Sequence, residues 1–215
     1  ARQFTIYDDK IYLADTYGNK IKVLNLNGGC IDYASSIYVY PHSIAVSNEK
    51  VYVGYASRSE VRSFYRNQIY KSDTWYSGSI QYPWGMAINK SETQLIVADY
   101  SANKLFKLGI NSNKISFSNY GQIGSNYSTA NGYFRNPTDA GYDSNGNIYA
   151  TDLNNHRLQK FSGSYQAKVG SYSTTSAFRY PYGMHVDSSD NIYAVDFDNY
   201  TVRKFNTSLT EIATY

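Results

Sequence analysis

The chain has 215 residues, of which 42% are hydrophobic, 17% aromatic and 17% charged, with a net charge of +3. That charge is too modest to imply a polyanionic partner unless it is gathered on one face. The single cysteine, Cys30, excludes an internal disulfide framework and reads as an inert strand residue, and no apolar run approaches the ~20 residues that span a bilayer.

From its first residues the chain repeats one pattern. RQFTIYDDKIYLADTYGNKIKVLNL (2–26) is followed by YPHSIAVSNEKVYVGYASRSEVRSF (40–64) and YPWGMAINKSETQLIVADYSANKLFKL (82–108). NPTDAGYDSNGNIYATDLNNHRLQKF (136–161) and YPYGMHVDSSDNIYAVDFDNYTVRKF (180–205) complete the set. Prolines 41, 83, 137 and 181 give spacings of 42, 54 and 44, and the residue closing the second strand of each unit (Asp15, Tyr55, Asp99, Asp152, Asp196) gives 40, 44, 53 and 44. Both rulers place an insertion after Leu108, within 111–135.

Each unit reads as four short strands. In the fourth, TDAGYD, NIYATD and RLQKF are joined by an Asn145-Gly146 turn and a tight LNNH turn, and a last strand lies near QAKVGSY. Alternation of apolar and polar residues is only partial, as expected where both faces of a sheet are covered. No stretch carries a sustained helical period. A repeat of strands and turns at this spacing cannot bury both faces of its own sheet, so units pack on one another. The expected fold is all-β: one domain, a five-bladed β-propeller of four-stranded antiparallel blades, at about 1–40, 41–82, 83–136, 137–180 and 181–215. The chain supplies five whole units with none borrowed between termini, so closure is expected to rest on packing of blade 1 against blade 5. The repeat Asp is expected to accept hydrogen bonds from the turn after it and to face the cation opening the third strand, as Asp152 with Arg157 or Asp99 with Lys104.

The fourth and fifth units resemble NHL repeats, the fourth down to the literal Asn155-His156-Arg157. The third and fifth keep the Pro-x-Gly opening and the terminal Asp, and the first two depart furthest. The resemblance implies the propeller and leaves function open, since such propellers serve as RNA readers, protein platforms, extracellular modules and a few enzymes. The zinc lyases of this family would require Pro-His at three blades. Only Pro41-His42 is present, and one imidazole does not hold a catalytic zinc. Nucleophile-elbow, zinc-protease, phosphate-loop and paired-cysteine motifs are absent. DSNGN (143–147) begins like a calcium loop, but Asn154 stands where a bidentate Glu is required, so it reads as a hairpin turn. Asp196 and Asp198 read as a solvated turn. The expectation is no enzyme, no catalytic residue, no metal and no cofactor.

Recognition remains. The residues that follow the blade-opening positions, Arg2, His42, Trp84, Thr138 and Tyr182, with Asp139 alongside, should ring the channel mouth and mix aromatic, basic and hydrogen-bonding groups. Sequons occur at Asn89, Asn126, Asn199 and Asn206, no more than composition predicts, all in expected turns or the insertion. The chain opens at Ala1 without a methionine, which signal-peptide removal or excision would equally leave. Low-charge Tyr/Ser/Thr-rich outer strands are poorly protected against edge pairing. Together these point to a non-enzymatic extracellular, secreted module with a structural or adhesive role, the glycosylated subunit of a fibre or surface assembly. Its expected partners are other protein subunits, through self-association, and glycans. An RNA- or protein-binding NHL domain is the alternative, with nucleic acid disfavoured by the charge, and a lyase or lactonase comes third.

Overall fold

The computed structural model describes residues 2–35, 40–110, 115–116, 121–170 and 178–215. Five antiparallel sheets follow one another along the chain, each built from a continuous segment. Blade 1 is β1 (Gln3–Tyr7), β2 (Lys10–Asp15), β3 (Lys20–Asn25) and β4 (Cys30–Ser35). Blade 2 is β5 (Pro41–Val46), β6 (Lys50–Tyr55), β7 (Glu60–Tyr65) and β8 (Gln68–Tyr76). In blade 3, β9 (Pro83–Ile88), β10 (Gln94–Asp99) and β11 (Lys104–Ile110) are edged by two fragments, β12 (Ile115–Ser116) and β13 (Gln122–Ile123), both paired with β11. The insertion thus divides the outer strand. Blade 4 is β14 (Pro137–Tyr142), β15 (Ile148–Asp152), β16 (Arg157–Ser162) and β17 (Ser164–Gly170). Blade 5 is β18 (Pro181–Val186), β19 (Ile192–Asp196), β20 (Thr201–Phe205) and β21 (Glu211–Thr214). No helix among the described residues is long and apolar enough to cross a membrane.

The core is four apolar layers between successive blades. Tyr12, Ala14, Ile21 and Val23 of blade 1 meet Ile44, Val46, Val51 and Val53 of blade 2. Equivalent sets join blades 2 and 3 through Tyr52, Val61, Met86 and Val97, and blades 3 and 4 through Ile96, Leu105, Ala140 and Ala150. Tyr149 and Leu158 meet Ile192, Ala194 and Phe205 between blades 4 and 5. This explains the missing alternation: β5 and β6 are buried at every residue because both their faces are covered.

Hydrogen bonds repeat with the blades. The corner residue before each third strand, Asn19, Ser59, Asn103, His156 or Tyr200, is left-handed, with φ between 51° and 56°. Asn19 Oδ1 accepts from the Tyr40 amide, Asn103 Oδ1 from Asn136 and His156 Nδ1 from Tyr180, each at 2.9–3.1 Å, and Ser59 Oγ donates to the Gln81 carbonyl. The signature histidine is therefore a pin between blades 4 and 5. Burial, and Arg179 after it, hold its pKa below the usual imidazole value, which suits an acceptor.

The repeat Asp behaves as expected in blade 4, where Asp152 Oδ2 lies 2.7 Å from Arg157 Nε. Blades 1 and 5 draw the cation from two residues further along, Lys22 at 2.6 Å and Arg203 at 3.6 Å. Asp99 departs from the expectation: its carboxylate is taken by the amides of Gln81, Tyr82 and Ala102 rather than by Lys104. In blade 2, Tyr55 replaces the Asp, and the carboxylate crosses to the paired position, where Glu60 binds Arg62 at 2.7 Å. DSNGN closes a hairpin in which Asp143 accepts from the Asn145 and Asn147 amides.

Closure differs from the expectation of packed blade faces. Blades 1 and 5 are linked at the channel by Arg2 Nη1 donating to the Tyr182 hydroxyl at 2.7 Å, while their facing sheets line a cleft of about 750 Å³. The ring is held instead from inside. Gln3 Oε1 accepts from the Ile44 amide of blade 2, and Gln3 Nε2 donates to the Met86 carbonyl of blade 3 and to Asp139 Oδ1 of blade 4. Asp139 Oδ2 accepts from the Met184 amide of blade 5. Two side chains thus touch all five blades.

Candidate functional site

The innermost strands β1, β5, β9, β14 and β18 start at one end of the channel, so the residues at those starts converge. The site's centre is Trp84. Its ring stacks on Tyr100 at 4.7 Å and 28°, meets Tyr182 edge-on at 5.8 Å, lies 5.1 Å from His42, and carries the Arg2 guanidinium 5.1 Å above it. Cation–π contact and the Tyr182 hydrogen bond fix Arg2 over the aromatic floor while the residue stays exposed. Tyr82 closes the other side, with its hydroxyl 3.1 Å from His42 Nε2 and its ring 5.2 Å from Trp84. A pocket of about 300 Å³ opens beside this cluster, lined among others by Arg2, Tyr17, Tyr40, His42 and Tyr82.

The electrostatics favour neutral aromatic recognition with one cation. Burial, helped by the charge of Arg2, lowers the His42 pKa to about 4, so the imidazole is neutral at physiological pH. Burial also raises Tyr82 and Tyr182, which remain phenols able to donate and accept. Arg2 is the fixed charge over the cluster.

Of the six residues expected at the mouth, Arg2, His42, Trp84 and Tyr182 come together. Thr138 and Asp139 turn into the wall. Thr138 Oγ1 donates to the Pro181 carbonyl at 3.3 Å and lies 3.0 Å from Thr151 Oγ1. Asp139 is buried beside a channel cavity of about 200 Å³, and desolvation pushes its pKa up to about 7 against hydrogen bonds from the Met184 and Ala140 amides. Sequence reasoning missed Tyr82, Tyr100 and Gln3. Tyr82 stands two residues before Trp84, on the far side of Pro83, and Tyr100 one residue after the repeat Asp.

Among the sequons, Asn126 and Asn199 are exposed. The amide nitrogens of Asn89 and Asn199 are engaged, Asn89 with Ser91 and Thr93 and Asn199 with Asp196. Asn206 lies in a turn where its oxygen accepts from the Ser208 and Thr210 amides.

Five four-stranded blades around one channel make this protein a β-propeller. The NHL-repeat model matches residues 134–161, in blade 4, so the chain is a β-propeller that carries an NHL repeat there. No curated protein matches the sequence. Among solved structures, a streptogramin B lyase superposes with a TM-score of 0.76 at 13% identity, over 100% of this chain and 67% of that one. A catalytically inactive virginiamycin B lyase from Staphylococcus aureus with quinupristin gives 0.70 at 16% identity, over 99% and 68%. A chain of a nidogen/laminin complex gives 0.76 at 13%, over 99% and 77%. Likeness at these identities concerns the fold.

Proposed function

We propose that this propeller is a non-enzymatic extracellular recognition module with a structural or adhesive role, assembling with other protein subunits. The observation that carries it is the channel mouth, where four blades contribute Arg2, His42, Trp84, Tyr100 and Tyr182 to one rigid aromatic surface. Rigid amphipathic rings lose little entropy on binding and are the usual anchors of protein interfaces. The similar fold solved in a nidogen/laminin complex offers a precedent for such a propeller in a protein–protein assembly. The exposed Tyr- and Ser-bearing outer strands supply further edges for assembly.

The test is binding of the purified chain to an array of matrix proteins and glycans, beside Trp84→Ala. The wild type should bind at least one component, and the variant should lose about 30-fold or more in affinity, the 2 kcal/mol of a central aromatic anchor. Binding that Trp84→Ala leaves intact, with the fold verified by its melting temperature, would overturn the assignment of the mouth. Salt-dependent capture of single-stranded RNA would instead favour the nucleic-acid reading. Expressed behind a signal peptide in a eukaryotic host, the chain should carry a glycosidase-sensitive mass on Asn126. An Asn126→Gln chain that keeps the same glycosidase-sensitive mass would refute that assignment.

A further inference from the structure

The two faces of the cleft between blades 1 and 5 carry apolar residues at positions that are buried at other blade junctions, Met184 of blade 5 being half-buried at the position of Phe4. Phe4 stands where Ile44, Met86 and Ala140 stand in their blades. It is 60% exposed, whereas those three are 1–3% exposed. On the opposite wall, Val202 occupies the position of Ile21, Val61, Leu105 and Leu158, at 36% exposure against 0% for all four. Val195 is 38% exposed where Ala14, Ala98 and Thr151 are fully buried. The residues at this junction are of blade-facing kind, yet exposed.

The hydrogen-bond pins agree. In blades 1 to 4 the left-handed corner residue bonds to the entry of the next blade. Its counterpart in blade 5, Tyr200, is 92% exposed.

We infer that the cleft seats one further four-stranded blade of this same repeat, carried by polypeptide outside these 215 residues. The surface offered is continuous with the four junctions already built: a face toward a following blade on blade 5, and a face toward a preceding blade on blade 1. Any blade of the repeat presents the two complements. The solved propellers match this chain over 99–100% of its length yet leave roughly a quarter to a third of their own chains beyond the match, room for one or two blades. A second copy of the chain does not fit. Stacked on blade 5 with the usual rotation, its own next blade would fall on the space that blade 1 holds. Entry of the additional blade exchanges the Arg2–Tyr182 hydrogen bond for two apolar layers.

The test compares the 215-residue chain with one that carries a copy of residues 126–170 after Tyr215, which brings a blade and its connecting loop. The shorter chain should bind the dye anilinonaphthalene sulfonate at the cleft. The extended chain should lose most of that fluorescence, melt roughly 5–10 °C higher and remain monomeric by sedimentation. Undiminished dye binding without a higher melting temperature would overturn the inference, as would a dimer of the shorter chain that itself excludes the dye. Should the extended chain fail to fold, a second measurement decides. In a Cys30→Ser background, Phe4→Cys with Val195→Cys should not cross-link in the 215-residue chain, whereas rapid disulfide formation would show that the ring closes on itself. None of these readouts involves the channel-mouth ligand, so they test the blade separately from the proposed function, although entry of the blade releases Arg2 from Tyr182 at the mouth.

Discussion

Replacing Arg157 with methionine should destabilise the protein by about 3–5 kcal/mol, the range found when one partner of a buried ion pair is removed. Arg157 is 1% exposed. Its Nε donates to Asp152 Oδ2, Nη1 to the Thr129 carbonyl, and Nη2 to the carbonyls of Ala130 and Tyr133, at 2.7–2.9 Å. Methionine fills similar volume but takes the guanidinium from the Thr129 carbonyl and from a buried carboxylate, and leaves the Ala130 and Tyr133 carbonyls with only the Tyr133 amide and Gln159 Nε2 as donors. Asp152 keeps Asn155, Gln159 and the Arg135 amide, so a second change at Asp152 should not rescue the variant. Arg157→Lys should recover less than half of the loss, because an ammonium cannot reproduce the planar fork. Urea titration measures the stability, and hydrogen exchange over residues 128–135 should show the insertion's end released from blade 4. A methionine variant within about 1 kcal/mol of wild type would refute this account of how the segment is held.

That interaction shows what the sequence could and could not disclose. Asn155-His156-Arg157 and the Asp at the end of the second strand were visible as a pair, because the hairpin places them directly opposite each other, Asp152 against Arg157. The three carbonyls that share the guanidinium lie in the insertion, 24–28 residues away, where no repeat fixes the register. Asp99 and Lys104 occupy the same paired positions, and there the backbone amides of Gln81 and Tyr82 claim the carboxylate first. Short-range pairing was legible. The competition for each partner was not.

The same division runs through the candidate site. Blade count, strand order and the convergence of Arg2, His42, Trp84 and Tyr182 follow from the repeat, since equivalent positions in a ring must meet. Whether a side chain at such a position faces the opening or the wall depends on its neighbours across the channel. Thr138 is small enough to bond the Pro181 carbonyl inside the wall, and Asp139 is drawn inward by amides of blades 4 and 5. The role of Gln3 rests on contacts 41, 83 and 136 residues distant, for which local sequence holds no signal.

The Gln3–Asp139 pair should make stability fall as pH rises through neutrality. Asp139 has an ordinary carboxyl value near 4 in the unfolded chain and about 7 in the folded one, where burial disfavours its charge. Between those values the folded protein binds the extra proton. Its contribution is therefore fully present below pH 4 and is lost progressively up to about pH 7, by about 4 kcal/mol in all. Asp139→Asn cannot titrate, so the stability difference between wild type and this variant should shrink by about 3 kcal/mol from pH 5 to pH 8. Parallel pH profiles for the two proteins would show that the carboxyl is already ionised throughout. Gln3→Ala, at fixed pH, should cost about 2–4 kcal/mol, because it removes at once the side-chain acceptor of the Ile44 amide and a donor to both the Met86 carbonyl and Asp139, which keeps only the Ala140 and Met184 amides. Gln3 adjoins Arg2 and Asp139 adjoins Thr138 along their strands, so the pair that spans the channel also sets the spacing of the mouth above it. A Gln3→Ala protein held well below its melting temperature should therefore bind more weakly at Trp84 than its residual stability alone would predict.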